Sequence, residues 1–391
     1  MELYILDDQF RRVEVFEKYE SLIWAERFNS LGDFRLTVQA TDENRKILLE
    51  GVRLALRGSW RVMEIETVQD STDSEGKAIL TATGPSLEYL LTQRVVRYSL
   101  SDTLDTKWVI SDTAPATIAR TIFENICVLG LLSSNDVIPY IDQDSTFFPT
   151  DTIDEPTDLI DYEMEPMTLY DAEKRLCDVY DMGFRLIRNY DESELWFDIY
   201  MGSDRTSQQT DYPAVIFSQG LDNLQNTSQL TTKTQYKNVA IVISPVGVRT
   251  VYAPDVSSSV SGFDRRVMVV TASDITDASS SVANARMDQR GAEALGQSRK
   301  FSGFDGEINQ NAQYVYQVDY FLGDLVELRN TLGTKTVVKV TEQIFVSDKE
   351  GDRSYPTLEI RRFVTPGSWD DATADLVWDS APSSNTWDDG L

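Results

Sequence analysis

The sequence contains no histidine. That removes Ser-His-Asp and Cys-His nucleophile systems, imidazole proton shuttles and histidine metal ligands. Cysteine is nearly as scarce. Cys127 and Cys177 are too few for a zinc site or a disulfide framework, and both fall in helical segments, where a buried small hydrophobe is the ordinary role. Positive charge is short as well: 36 Lys and Arg stand against 64 Asp and Glu, a formal charge of −28. Proteins that hold nucleic acid by its phosphates, or anionic lipid by its headgroups, need a positive face. No apolar run approaches the 18 or so residues of a membrane helix; the longest, 126–132, contains a glycine. The start, Met1-Glu2-Leu3-Tyr4 followed by Asp7 and Asp8, has neither the basic end nor the apolar stretch of a signal peptide, so assembly in a cytoplasm is expected.

What is present is ordinary globular material: 41% hydrophobic and 10% aromatic residues over 391 positions, enough for two to four domains. Residues 1–98 read as strands. Phe34, Leu36 and Val38 alternate with polar neighbours, as do Met63 and Ile65 with Glu64 and Glu66. A turn falls at 70–77 and a short helix at 86–91. Residues 99–205 change to mixed α/β. A helix is expected over 113–128, with Pro115 in its first turn and Ile118, Ile122 and Ile126 on one face. A second is expected over 169–182, capped by Thr168 with Asp171 three residues on and closed by Gly183; strands at 184–189 and 195–200 follow. Residues 206–365 return to strands, at 239–244, 248–252, 266–270, 314–320, 325–328 and 337–346. One alanine-rich helix, 281–295, interrupts them with a weak apolar face suited to shallow packing or to another chain. The fold class is therefore mainly β with an α/β insertion, in the blocks 1–98, 99–205 and 206–365. Residues 366–391 form an acidic tail in which Trp369, Trp378 and Trp387 recur nine apart, each followed by aspartate.

The negative charge is local. Residues 121–173 hold 13 acids and no Lys or Arg, and the tail adds six aspartates. Asp136, Asp142, Asp144, Asp151, Asp154, Glu155, Asp158, Asp161, Glu163 and Glu165 make up the densest stretch. A solvated loop beside a disordered end accounts for such runs. The alternative is a surface that faces passing DNA and repels it. Reactive constellations are missing. With 64 acids a neighbouring carboxylate pair says nothing about glycoside chemistry, and Asp142-Gln143-Asp144 opens like a calcium loop but lacks the glycine and glutamate that complete one. No Walker pattern and no Gly-x-Gly-x-x-Gly occurs, and no cofactor or metal is expected. The tryptophan tail fits three readings: stacking on sugar rings, filling pockets on a neighbouring subunit, or disorder.

Six ordered segments then carry a resemblance. Tyr19-Glu20-Ser21-Leu22-Ile23-Trp24-Ala25-Glu26-Arg27-Phe28 with Gly32-Asp33-Phe34, Arg61-Val62-Met63-Glu64-Ile65-Glu66, and Gly84-Pro85-Ser86-Leu87-Glu88-Tyr89-Leu90-Leu91 come first. Phe197-Asp198-Ile199-Tyr200-Met201-Gly202-Ser203-Asp204-Arg205-Thr206, Lys237-Asn238-Val239-Ala240 with Gly262-Phe263-Asp264-Arg265-Arg266, and Tyr320-Phe321-Leu322-Gly323-Asp324 follow. Together, over about 1–365, the chain resembles siphophage tail-hub proteins from phages of actinobacteria and related hosts, themselves similar to the baseplate hub of contractile tails. The resemblance implies a non-enzymatic virion protein at the distal end of the tail. It implies a homotrimer with two barrel-like domains per chain, joining the tail tube or distal tail protein to tip or receptor-binding proteins. It also implies contact with the tape measure protein and a channel through which DNA passes without specific binding. Some relatives carry a C-terminal peptidoglycan hydrolase, for which no room is expected after residue 365. The other reading is a carbohydrate-binding adhesin acting through the tryptophan tail.

Overall fold

The computed structural model describes residues 1–72, 76–99, 106–142, 155–189, 194–223, 225–254, 256–276, 279–298, 301–307, 314–329 and 335–359. Strands dominate it. A sheet of ten runs Gln225–Thr232, Phe301–Glu307, Gly351–Glu359, Lys335–Asp348, Ser21–Arg27, Asp33–Gln39, Ala78–Pro85, Thr67–Thr72. Leu325–Arg329 also pairs with Lys335–Asp348, and Ile216–Ser218 lies parallel to it. The first and third sequence blocks therefore share one sheet: Ser21–Arg27 pairs antiparallel with Lys335–Asp348, Trp24 opposite Phe345. Alternation sets the inward face of Asp33–Gln39, where Phe34, Leu36 and Val38 are buried and their neighbours are not. These side chains, with Trp24 and Leu80, meet Leu3, Leu54 and Met63 of a four-stranded sheet (Arg12–Phe16, Leu3–Leu6, Arg53–Leu56, Val62–Glu64), forming one apolar core between two sheets.

Four α-helices accompany the sheets: α1 (Asp42–Ile47), α2 (Pro115–Phe123), α3 (Leu169–Tyr180) and α4 (Ser280–Gln297). In α2, Pro115 occupies the first turn, and the helix continues as a π turn through Val128. Ile118, Ile122 and Ile126 are buried against α3 and the hairpin Gly183–Asn189/Glu194–Tyr200, in a second core. Helix α3 begins as expected, with the Thr168 hydroxyl accepting from the Asp171 amide at 3.0 Å. Its end differs from the sequence expectation. Asp181 adopts the left-handed conformation (φ 58°) and closes the helix, while Gly183 opens the next strand. Gly183 is glycine for a packing reason: a Cβ there would lie 2.6 Å from the Phe28 ring.

One further expectation is corrected, and one that left two alternatives open is decided between them. Residues 314–320 form a turn and not a strand. Val315 N–H donates to Asp319 and Gln317 takes a positive φ of 65°, so the alternating Tyr314-Val315-Tyr316 pattern plugs a core instead of lining a sheet. Helix α4 packs on its own chain. Ala283, Met287, Gly291 and Leu295 are buried, and Gly291 admits Val251, whose methyl would sit 2.5 Å from an added Cβ. The helix covers one face of a three-stranded sheet, Gly247–Tyr252, Val239–Ser244 and Val267–Thr271, and together they form a lobe with its own small core.

Candidate assembly surfaces

The motifs that carried the resemblance meet in space as pairs. Gly202 and Gly323 stand back to back: a Cβ on Gly202 would lie 1.9 Å from the Gly323 carbonyl carbon, and the same contact holds Phe28 over Gly323. Asp324 closes the knot. One carboxylate oxygen accepts from the Ser203 amide at 2.7 Å, the other from Arg205 Nε at 2.6 Å and from the Phe321 amide at 2.9 Å. Burial pushes the Asp324 carboxyl up, and these three donors pull against that shift. Tyr200 donates to the Phe28 carbonyl at 3.1 Å, and the Lys339 ammonium lies 3.9 Å from the Phe28 ring centre. Lys339 also meets Asp181 at 3.1 Å, which ties the end of α3 to the large sheet.

The second knot joins the first block to the middle one. Arg61 and Glu88 are both buried and paired; Glu88 also accepts from the Leu186 amide at 2.8 Å, and Arg61 donates to the Arg27 carbonyl at 2.9 Å. The third is Asn238, 3% exposed. Its side chain donates to the Asp264 carbonyl and accepts from the Arg266 amide, both at 2.7 Å, and so holds the 262–266 turn to the lobe. Each is a buried polar group bonded to a segment distant in sequence, although Glu88 Oε2 has no hydrogen-bond partner, and these bonds favour one arrangement of the chain.

The acidic candidates divide. Glu163 is 6% exposed and held by Lys107 and by Arg286 at 2.8 Å; Lys107 also holds Asp274, which Arg290 meets at 3.2 Å, and Arg290 lies 3.6 Å from Glu165. Burial opposes it, but Lys107 and Arg290 keep the Asp274 carboxyl below its ordinary range. This network clamps α4 to the strands Trp108–Thr113 and Ile160–Met164. Glu155 pairs with Arg120, Nη1 to Oε2 at 3.1 Å. Asp136 ends a short 3₁₀ turn, its carbonyl accepting from Arg94 Nε at 2.9 Å. Asp158 and Asp161 are exposed, the latter accepting from the Asp112 amide at 3.0 Å. Asp142 lies on the backbone of a two-residue strand parallel to Glu194–Tyr200. Asp144, Asp151 and Asp154, and Trp369, Trp378 and Trp387, lie outside the described residues.

Sequence reasoning missed Lys107, Asp274, Arg286 and Arg290. The available signal was the four-residue spacing of Arg286 and Arg290, two cations on one face of a helix in an acidic chain. Both cysteines are fully buried, and burial pushes the Cys127 thiol up to about 12. Among the described residues no cluster of His, Cys, Asp and Glu is arranged to hold a metal, and no helix is long and apolar enough to cross a membrane.

The family model described as Siphovirus ReqiPepy6 Gp37-like protein matches residues 2–358. Two solved structures share the fold across nearly their whole length. One is the tail protein from Neisseria meningitidis MC58, at TM-score 0.53 and 11% identity, covering 92% of this chain and 96% of that one. The other is the 43 kDa tail protein of prophage MuSo2 from Shewanella oneidensis, at TM-score 0.53 and 11% identity, covering 92% and 98%. A comparison with curated protein sequences finds no match.

Proposed function

The chain belongs to the Siphovirus ReqiPepy6 Gp37-like protein family, and from that premise we propose that it is a structural protein of the phage tail. It acts as a trimeric hub at the distal tip, between the tail tube or distal tail protein and the tip or receptor-binding proteins. One observation carries this reading: the family match and the fold shared with two tail proteins, one of them from a prophage, run through all three blocks of the chain. The geometry is in keeping with it. The chemistry of an enzyme needs a cleft with convergent reactive groups, whereas the buried polar groups of Asp324, Arg205, Arg61 and Glu88 hold segments together. In this reading two barrel-like units per chain, to which the shared ten-stranded sheet contributes strands of both strand-rich blocks, give the ring its pseudo-sixfold contact with the tube. The mechanism is mechanical. Ring contacts keep the tip closed around the end of the tape measure protein, host binding shifts them, and DNA passes a channel whose acidic residues repel it.

Light scattering on a sizing column tests the oligomer. Three chains of 44.3 kDa make a particle of about 133 kDa. A trimer, alone or on adding the tail-tube protein, is the expected result. A chain that stays single in both conditions contradicts the ring and favours the adhesin reading, in which cell-wall binding is lost on truncation after Thr365.

A further inference from the structure

The lobe has one face covered by α4 and one that is open toward the hairpin tip. Val242, Val251 and Val270 turn toward α4. The alternate residues turn away: on Val239–Ser244 these are Val239, Ile241 and Ile243, on Gly247–Tyr252 they are Val248, Thr250 and Tyr252, and on Val267–Thr271 they include Val269; Val239 is fully buried, so this face opens toward the hairpin tip. Ile243, Val248 and Val269 are 43%, 61% and 63% exposed, and Val246 at the hairpin tip is 47% exposed. A contiguous apolar face of this kind on a sheet marks a binding surface.

The rim of that face has a charge of its own. In a chain of −28, residues 233–271 hold five basic residues and two acidic ones. Lys233, Lys237, Arg265 and Arg266 gather at the end where the lobe joins the large sheet. The Lys237 amide donates to the Ser298 carbonyl, Arg266 donates to the Lys233 carbonyl at 2.6 Å, and Arg265 lies over the Tyr252 ring. None of these four cations pairs with a carboxylate among the described residues. An occupant for this surface should be apolar and acidic together.

The chain itself carries such a segment. Residues 366–391 hold three tryptophans, six aspartates and no Lys or Arg. The strand leading to it is aimed at the lobe. Leu358 lies opposite Phe304 and Glu359 opposite Gly303, so the chain runs on toward Phe301, the end where Phe301 faces Thr232 and both strands pass into the lobe. The ten residues from 360 to Trp369 span up to about 33 Å when extended, more than the roughly 17–20 Å length of a short strand.

We propose that the acidic tryptophan tail, residues 366–391, seats on the open face of the lobe of its own chain, entering past the Lys237–Arg265 rim with Trp369 as its first anchor. The aromatic rings cover Ile243, Val248 and Val269, and the aspartates meet the four cations. This goes beyond the hub reading and does not rest on it, since it concerns a single chain.

The test is photocrosslinking in the full-length protein, with benzoylphenylalanine placed at Val248 or Val269 and, as a control, at Val13 on another exposed edge. The expected result is a crosslink from both lobe positions to peptides within 366–391, at the mass of one chain, absent from Val13 and reduced severalfold by K237E/R265E. Crosslinks at twice the chain mass, or to peptides outside the tail, overturn the proposal. Hydrogen exchange on a chain truncated after Thr365 gives an independent check. Amides of Gly247–Tyr252 and Val267–Thr271 should exchange at least severalfold faster than in the full chain, and unchanged rates overturn the proposal whether or not the crosslinker variants fold.

Discussion

Glu173 sits on α3 with its side chain wholly buried and neither carboxylate oxygen hydrogen-bonded. Burial holds its carboxyl well above the ordinary value of 4.5, so the folded chain keeps it protonated. The sign follows from linkage. The unfolded chain releases this proton near pH 4.5 and the folded chain does not, so stability is full below that pH. It then falls by about 1.4 kcal/mol for each pH unit up to the folded titration point. Glu173→Gln removes that dependence, and thermal unfolding should show the variant gaining on the parent between pH 5 and pH 8. A constant difference across that range contradicts the assignment. Gly202 is the opposite kind of residue, needed for what it lacks. Gly202→Ala forces Cβ into the Gly323 backbone, which has no rotamer to move. A loss at or above the 1–3 kcal/mol of ordinary overpacking, roughly, is expected in a denaturant titration. The sequence shows both glycines but not that they touch. Contact between residues 202 and 323 is a fact of topology, and no local pattern encodes it.

At the scale of elements, legibility tracks how local the determining forces are. Helix α3 was readable because Thr168, Asp171 and the buried stripe at Leu169, Ala172 and Leu176 all lie within three turns. Its end was not, since Gly183 answers to Phe28, 155 residues earlier in the chain. Helix α4 is readable in extent, but the sequence leaves open whether it packs shallowly on its own chain or on another. Its small residues Ala283 and Gly291 look like a poor apolar face, yet smallness is what lets Val251 come close. The acidic stretch was legible as composition, but which acids are paired depended on where α4 would lie. The Lys107–Glu163–Arg286 contacts make α4 docking testable. Lys107→Met removes the cation shared by Glu163 and Asp274, which keep Arg286 and Arg290, so a cost below the roughly 3–5 kcal/mol of a buried charge left unpaired is expected. Hydrogen exchange should show α4 amides losing protection while the Gly183–Asn189 hairpin keeps its own. Uniform loss across both would mean the network stabilises the whole fold and not the docking. The depressed Asp274 carboxyl adds an acid limit: its contribution is present above its ordinary value of 3.8 and lost as pH falls through its lower folded value. The α4 clamp should therefore weaken in strong acid, where the depressed Glu327 and Asp352 carboxyls of the large sheet lose their contribution as well.

At the scale of the whole molecule, the large sheet joins early and late segments of the chain, Ser21–Arg27 to Lys335–Asp348, and the Met1 amino group meets Asp352 at 2.6 Å. In the channel reading, Asp158 and Asp161 are the described, exposed carboxylates of the acidic stretch. The phage carrying D158N/D161N should assemble normally and eject DNA more slowly; unchanged ejection kinetics in that phage remove the acidic stretch from the channel. Glu163, clamped by Lys107 and Arg286, is excluded from that test because its replacement would disturb α4. The central claim is that this chain is a structural part of the tail tip, and labelling intact virions tests it most directly. Gold-labelled antibody against the chain, viewed by electron microscopy, should mark one site per particle at the tail end far from the head. Label at the head, along the tube or nowhere on the purified particle would contradict the account.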